Sequence, residues 1–505
     1  MSKSTTDLFE ILFFSLNRIQ YPSSPEVIQS DLAWNISKAK RVKEKNRAGK
    51  DIPVGYVYEK VPYRRELKKV IRKGSKPDEK TFYNSLTNNG ISLASNRVQP
   101  ELLSEAIINS FKGVKPERGK FYPTSAIFTE TLLAMDKDGM SGASAPALAT
   151  IIEQLYSLGF TKNDNKGSAV VTWYKSIHGN INDKFYSRLR SAVKDSSIVP
   201  DHVQLPNVDD VDQYDNQVRM PMWMESLDTP FKWFAESWDA LCNNGWNKAL
   251  PRRRWSDWAN CLLRLVIGMG FLWESRFFRT LGVELLDDST DAEESQQRIF
   301  KNAPLINWLN ENDPVTARDV NKTNKQLEAD GQNVRQFILK NIIEPYKEEL
   351  EKQIKNWDEN DYLLNFIKFS KDKLSSNSDL KENLKACFGG RLNNNSNNID
   401  EAVNYSLDCR KRFGEDADYY SLLKRVSRRY LVVSPGPELL VVLSSLSAGR
   451  PGAQTPLHVL RKKLSCLGLE PSRAILVEEL EKIGLCQSSH DADDGITVNS
   501  GFKLV

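Results

Sequence analysis

Trp255, Trp258, Leu262, Leu265, Met269 and Leu272 recur at intervals of three and four residues, the spacing that aligns side chains along one side of an α-helix. The residues between them, in WSDWANCLLRLVIGMGFLW, are also largely apolar. Such a helix has no face suited to water and is expected at the centre of the molecule. Its most apolar run, CLLRLVIGMGFLW at 261–273, is 13 residues long and contains Arg264, whereas a membrane span needs about 20 apolar residues. The expectation is a buried core helix and no membrane partner. Seven of the 11 Trp lie between Trp223 and Trp273, so 216–310 reads as a Trp-rich helical core domain.

At 505 residues the chain is too long for one hydrophobic core to organise, and two to four domains are expected, roughly. The fold class read from the sequence is mainly α and multidomain. Residues 1–200 form a basic N-terminal helical domain, with helical patterns at PELLSEAIINSF (100–111) and SAPALATIIEQLYSLGF (144–160), the latter stopping at Gly159. Within it, SAVVTWY (168–174) is β-branched and reads as a strand. DHVQLPNVDDVDQYD (201–215) is polar, acidic and without period, as a linker is, and DDSTDAEE (287–294) marks a surface loop. Residues 311–429 read as a polar helical arm with an Asn-rich loop, GGRLNNNSNN (389–398). Its long helices alternate charge and face solvent, and Pro345 breaks or kinks them.

Six cysteines, at 242, 261, 387, 409, 466 and 486, are scattered with no CxxC pair, as expected of reduced, mostly buried thiols in a cytoplasmic protein. The opening MSKSTTDLFEILFFSLNRIQ is interrupted by Asp7 and Glu10, which reads as a helix rather than an export signal.

Residues 430–505 read as a compact module. SPGPELLVVLSSLSAG offers a proline-initiated first helix ending at Gly449. In the second, Thr455 caps, Pro456 suits the first turn, Leu457, Leu460, Leu464 and Leu467 face inward, and Gly468 ends it. A third helix follows Pro471 and turns Leu476, Leu480 and Ile483 to the same core. Asp494-Gly495 then precedes the alternating strand Ile496, Thr497, Val498, which is hairpin chemistry. Three helices and a hairpin resemble a winged helix, a fold that does not by itself imply a function. In DNA-reading members the third helix enters the major groove. Here residues 470–484 carry Glu470, Glu478, Glu479 and Glu481 against Arg473 and Lys482, and the wing adds Asp491, Asp493 and Asp494. Phosphates would repel these surfaces. Only the second helix is basic, through Arg461, Lys462 and Lys463, so the module is expected to dock on protein.

Net charge is +4, but residues 38–76 hold ten Lys and five Arg against one Asp and three Glu, which leaves the remainder at −7. In SKAKRVKEKNRAGKDIPVGYVYEKVPYRRELKKVIRKGSK the cations interleave with Tyr56, Tyr58 and Tyr63, a pattern suited to tracking a DNA or RNA backbone while a ring covers a base or sugar. Candidate nucleic-acid contacts are Lys38, Lys40, Arg41, Lys43, Lys45, Arg47, Lys50, Arg64, Arg65, Lys68, Lys69, Arg72 and Lys73. The bland alternative is a solvated basic loop and helix surface. Arg252, Arg253 and Arg254 form a second candidate cluster that grips either phosphates or carboxylates of the Trp-rich domain. RKRFGEDADYYSLLKRVSRRY (410–430) reads as a basic helix surface beside the terminal module.

Catalytic signals are weak. GVKPERGKF (113–121) has one residue too many between Gly113 and Gly119 for a P-loop, and Phe121 stands where a hydroxyl should hold Mg²⁺. The four histidines, His178, His202, His458 and His490, form no zinc motif, and no cofactor is implied. Glu66-Leu67-Lys68 fits the Glu-x-Lys of a metal nuclease, but PYRRELKKVIRK reads as a basic helix. Asp209, Asp210, Asp212 and Asp215 fit a solvated linker. The sequence therefore points to a non-enzymatic subunit of a nucleic-acid-associated assembly with other protein subunits as partners. A divergent metal-dependent nuclease and a pure scaffold are the alternatives. A terminal winged helix on an orphan helical body is similar to accessory subunits of prokaryotic genome-defence systems.

Overall fold

The computed structural model describes residues 4–17, 28–29, 32–33, 36, 40–45, 51–58, 61–62, 79–91, 148–161, 167–178, 184–195, 220–301, 304–306, 308, 320–390, 397–409, 417–427, 430–486 and 495–502. The principal elements begin with α1 (Thr5–Leu12), β1 (Lys40–Lys45), β2 (Asp51–Tyr58), β3 (Val61–Pro62), α2 (Glu79–Asn88), α3 (Leu148–Ser157), α4 (Ala169–His178) and α5 (Lys184–Asp195). The middle of the chain supplies α6 (Pro230–Asn243), α7 (Arg252–Leu286), α8 (Ala292–Phe300), α9 (Val320–Phe337), α10 (Lys347–Ile354), α11 (Tyr362–Ser375), α12 (Ser378–Lys385) and α13 (Asn397–Leu407). The last elements are β4 (Leu423–Ser427), β5 (Tyr430–Val433), α14 (Pro437–Ala448), β6 (Gln454–Pro456), α15 (Leu457–Leu467), α16 (Arg473–Lys482) and β7 (Thr497–Asn499). The protein is mainly helical, with three small antiparallel sheets, β1-β2-β3, β4-β5 and β6-β7, among the described residues.

The tryptophan spacing does mark the centre. α7 runs for 35 residues, and Trp255, Trp258, Leu262, Leu265, Met269 and Leu272 are all buried, as are most residues on its other sides. α3, α6, α8, α9, α11 and α13 pack around it. Arg264, the only charge in its apolar run, is compensated within the core. Its guanidinium donates to both oxygens of Asp418 (3.0 and 2.9 Å) and to the carbonyls of Ser406 (2.9 Å) and Asp408 (3.1 Å). Among the described residues no helix is long and apolar enough to cross a membrane.

The opening segment is the expected helix. Ser4 Oγ accepts from the Asp7 N–H while Asp7 accepts from the Ser4 N–H, a reciprocal cap that fixes the entry into α1. Phe9, Phe13 and Phe14 then enter the core, where Phe13 lies edge-on to Phe366 with ring centroids 4.9 Å apart and 5.7 Å from Phe278.

Several expectations are corrected. SAVVTWY is not a strand but most of α4, because the buried Glu153 carboxylate accepts from Ser168 Oγ and from the N–H groups of Ala169 (3.1 Å) and Val170 (2.8 Å). Ser168 Oγ accepts from Val171 N–H. A fixed cap of this kind outweighs the small helix penalty of β-branched residues. Nor is the first helix of the polar arm solvent-facing. α9 buries Glu328, Ala329, Asp330, Gln332, Val334 and Phe337 against α7. Its match to α7 is polar, with Gln332 donating to Ser275 Oγ at 3.3 Å and Asp330 pairing with Arg279 at 3.2 Å, so apolar periodicity could not reveal it. Pro345 does interrupt the arm. The chain widens into a π-helix over Ile338–Ile343, with Glu344 N–H reaching back to the Leu339 carbonyl, before α10 begins. Buried residues of 216–310, 311–429 and 430–505 belong to one contiguous core.

Around residues 410–430, the described part is not a helix surface: Leu423–Ser427 pairs with Tyr430–Val433 as β4-β5, in keeping with the β-branched run after Tyr430. The terminal helices stop where expected, at Gly449 and at Gly468, whose φ of +94° suits glycine. Thr455 is not a cap. It lies in β6, and Pro456 takes the cap position without a side-chain bond. β7 pairs with β6, more than forty residues earlier, and Asp494 lies outside the described residues.

All six cysteines are free thiols. Burial pushes Cys261 and Cys466 up to about 12 and Cys387 up to about 11. A thiol must deprotonate and meet solvent to react. Iodoacetamide at pH 8 is therefore expected to leave Cys261 and Cys466 unmodified in the native protein and to modify all six in denaturant. Peptide mass spectrometry checks this, and rapid native labelling of Cys261 would contradict its placement.

Candidate nucleic-acid interface

The described residues of the basic N-terminal segment form a small sheet. Lys40, Arg41, Lys43 and Lys45 lie on β1, which pairs antiparallel with β2 and shifts register between Val42 and Lys43. That register sets Arg41 opposite Tyr56 and Lys43 opposite Pro53. The reading of a loop is corrected over β1 and β2, because DIPVGYVY supplies the β-branched and aromatic residues of a strand for KRVKEK to pair with. Of the basic helix read at PYRRELKKVIRK only Pro62 is described, in β3, and the rest lies outside the described residues. A six-residue strand extends roughly 20 Å, so the four cations spread over that length instead of clustering. Lys38, Arg47, Lys50, Arg64, Arg65, Lys68, Lys69, Arg72 and Lys73 lie outside the described residues, as do Tyr63, Glu66 and Leu67.

Arg252, Arg253 and Arg254, at the start of α7, are drawn to three different protein groups. Arg252 donates to the Ile177 carbonyl (2.9 Å), Arg253 to Asp257 (3.2 Å), and Arg254 to Glu438 (2.9 Å) while lying over the Phe502 ring (5.1 Å). They are not brought together with β1 by any described contact.

The terminal elements divide by charge. On α15, His458, Arg461 and Lys462 are exposed, while Lys463 pairs with Glu236 of α6. On α16, Glu478 and Glu481 are exposed, and Lys482 is held between Glu479 (2.7 Å) and Glu478 (3.0 Å). Those two hydrogen bonds hold the Lys482 ammonium above the usual lysine range, and its charge is already answered locally. The module rests on the Trp-rich helices through its turns: Asn244 and Trp246 donate to the Gly449 carbonyl, and the Leu305 and Ile306 N–H groups to that of Gly468. Asp491 and Asp493 of the wing lie outside the described residues.

A further cationic and aromatic surface was not anticipated. α5, KFYSRLRSAVKD, exposes Lys184, Phe185 and Arg188, with Phe185 at 50%. On the opposite side of that helix from Phe185, Tyr174 stacks on His178 with centroids 4.7 Å apart and planes 19° from parallel. One Arg190 nitrogen lies 3.2 Å from both ring nitrogens of His178. In the ring plane that position would collide with the carbon between them, so the guanidinium nitrogen sits over the ring face. The signal in the sequence is the interleaving of Lys, Arg and aromatics over residues 184–190, the same signature as in 38–76 but shorter.

Among the described residues no group of three or more His, Cys, Asp and Glu could hold a metal ion. His458 is exposed, whereas His202, His490, the 113–121 segment and the Asp209 cluster lie outside the described residues. No family model, curated protein or solved structure matches this chain.

Proposed function

We propose that this chain is a cytoplasmic, non-enzymatic subunit of a nucleic-acid-associated assembly, in which the basic N-terminal segment contacts the phosphate backbone of DNA or RNA without reading sequence. The observation that carries this reading is the concentration of cations in 38–76, four of them along β1, in a chain whose remainder is −7. Backbone contact needs only cations placed along a path, whereas base reading needs fixed donors in a groove. The proposal leaves Arg252, Arg253 and Arg254 with the protein groups that hold them.

The order α14, β6, α15, α16, β7, with its two strands paired, supports reading the terminus as a winged helix. Its third helix carries exposed glutamates, which favours a protein rather than a DNA groove as its outer partner. The likeness to accessory subunits of prokaryotic genome-defence systems supplies the proposed setting, antiviral defence.

The test is charge reversal in the full chain at Lys68, Lys69, Arg72 and Lys73. Weaker retention on DNA or RNA is expected, with the log–log salt slope shallower by roughly 3 to 4, close to one per lost phosphate contact. Unchanged retention favours the scaffold reading. Incubating the protein with Mg²⁺ or Mn²⁺ on DNA and RNA tests the nuclease alternative, for which cleavage must vanish on replacing Glu66 or the Asp209 cluster.

A further inference from the structure

We infer that the cleft where the central helix α7 comes to the surface, between Trp273, Thr280 and Lys301, binds a small carboxylic acid. The Lys301 ammonium and the Thr280 hydroxyl take its carboxylate, and the rings beside them take its apolar stem. The site shares no residue with the basic N-terminal segment and is independent of the function proposed above.

Three observations carry it. First, every residue of α7 from Trp258 to Leu272 is buried, but Trp273, Arg276 and Thr280, which follow at intervals of three and four, are each only half-buried. That side of the helix, the end of α8 and the turn before α6 border a cavity of about 40 Å³. One water needs roughly 10 to 15 Å³, so the space takes about three water-sized groups. A carboxyl with a carbon or two fits it, whereas larger organic ligands need pockets of roughly 300 Å³ or more. Second, the wall is tied together and largely apolar. The rings of Trp273, Phe277, Trp223 and Phe300 form a ladder whose successive planes lie within 13° of parallel. The Arg276 guanidinium donates to the Lys301 carbonyl at 2.9 Å, which fastens α7 to the end of α8. A bare inorganic anion would leave these rings wet, and a carbon stem covers them. Third, the charge of the lining is positive. Lys301 is exposed, and among the described residues neither its ammonium nor the Thr280 hydroxyl has a hydrogen-bond or ion-pair partner. Burial pulls Arg276 below the usual arginine range, and its charge acts on the cleft whatever its N–H groups hold. The one carboxylate of the lining, Asp228, accepts from the Cys466 thiol.

The experiment titrates the full chain with butyrate, butyramide and inorganic phosphate by ligand-observed NMR. Butyrate is expected to bind about tenfold or more tightly than its neutral amide and than phosphate, which has no stem. Lys301→Glu should weaken butyrate about tenfold or more, and Thr280→Val, which keeps the shape and loses the hydroxyl, about threefold to tenfold. Lys301→Arg keeps the charge and should bind as the parent does, so a loss confined to Lys301→Glu is not a folding defect. A capped peptide with a single glutamate distinguishes the sources of the carboxylate: tighter binding than butyrate assigns a partner's side chain, weaker binding a free acid. If the parent binds butyrate no better than butyramide, or if Lys301→Glu binds it as the parent does, the site is overturned. Phosphate binding as tight as that of butyrate overturns the assignment to carboxylates.

Discussion

Gly331→Ala is expected to destabilise the protein by more than about 3 kcal/mol, at or beyond the upper end of ordinary overpacking. On an exposed helix the same change would be favourable by about 1 kcal/mol, so even the sign of the result is informative. Gly331 lies in α9 where it crosses α7, and a Cβ built there falls 2.1 Å from the carbonyl oxygen of Ser275 and 2.6 Å from its Cα. These are backbone atoms of the central helix, and no rotamer change can move them aside. The helices must separate, which also pulls Gln332 from Ser275 and Asp330 from Arg279. Gly390→Ala is the control, because the nearest atom to its added Cβ is 3.7 Å away. Chaotrope unfolding followed by tryptophan fluorescence measures both. A Gly331→Ala midpoint equal to that of the parent would show that α9 does not approach α7 this closely.

Arg264→Met is expected to cost about 3 to 5 kcal/mol, as is Asp418→Leu, because each leaves one buried charge without its partner. Side-chain exposure is 6% for Arg264 and 3% for Asp418, so water cannot compensate either one. The double variant Arg264→Met, Asp418→Leu should recover most of the loss, since removing both charges also removes their desolvation cost. Recovery will be incomplete if the carbonyls of Ser406 and Asp408, which accept from Arg264, are left without donors. Simple additivity of the two single effects would contradict a paired arrangement.

These two sites mark where the sequence stops being legible. The position of α7 was readable because its apolar residues repeat at helical intervals on every side. Helix stops at Gly449 and Gly468 were readable because glycine alone relieves a local backbone demand. The burial of α9 was not readable, since it depends on one glycine and on polar side chains that find partners across a helix crossing. Arg264 was visible as an anomaly, but its partner lies 154 residues away. α4 was mistaken for a strand because its cap, Glu153, sits on a different helix, 16 residues before Ala169. Of the candidate interface, the dense basic segment was legible from composition, although its strands were not.

The aromatic contacts of α1 bear on how the molecule is made. Phe13 meets Phe366, about 350 residues further on, and at ribosomal speeds of about 5–20 residues per second that partner emerges roughly 18 to 70 s later. Phe231, which meets Phe14, follows after roughly 11 to 43 s and Phe278, which meets Phe9, somewhat later, so the three phenylalanines of α1 gain their ring partners stepwise and wait longest for the last. Synthesis of this protein therefore passes through a sticky infancy, and slower growth temperatures or a holdase in the producing cell should improve its yield.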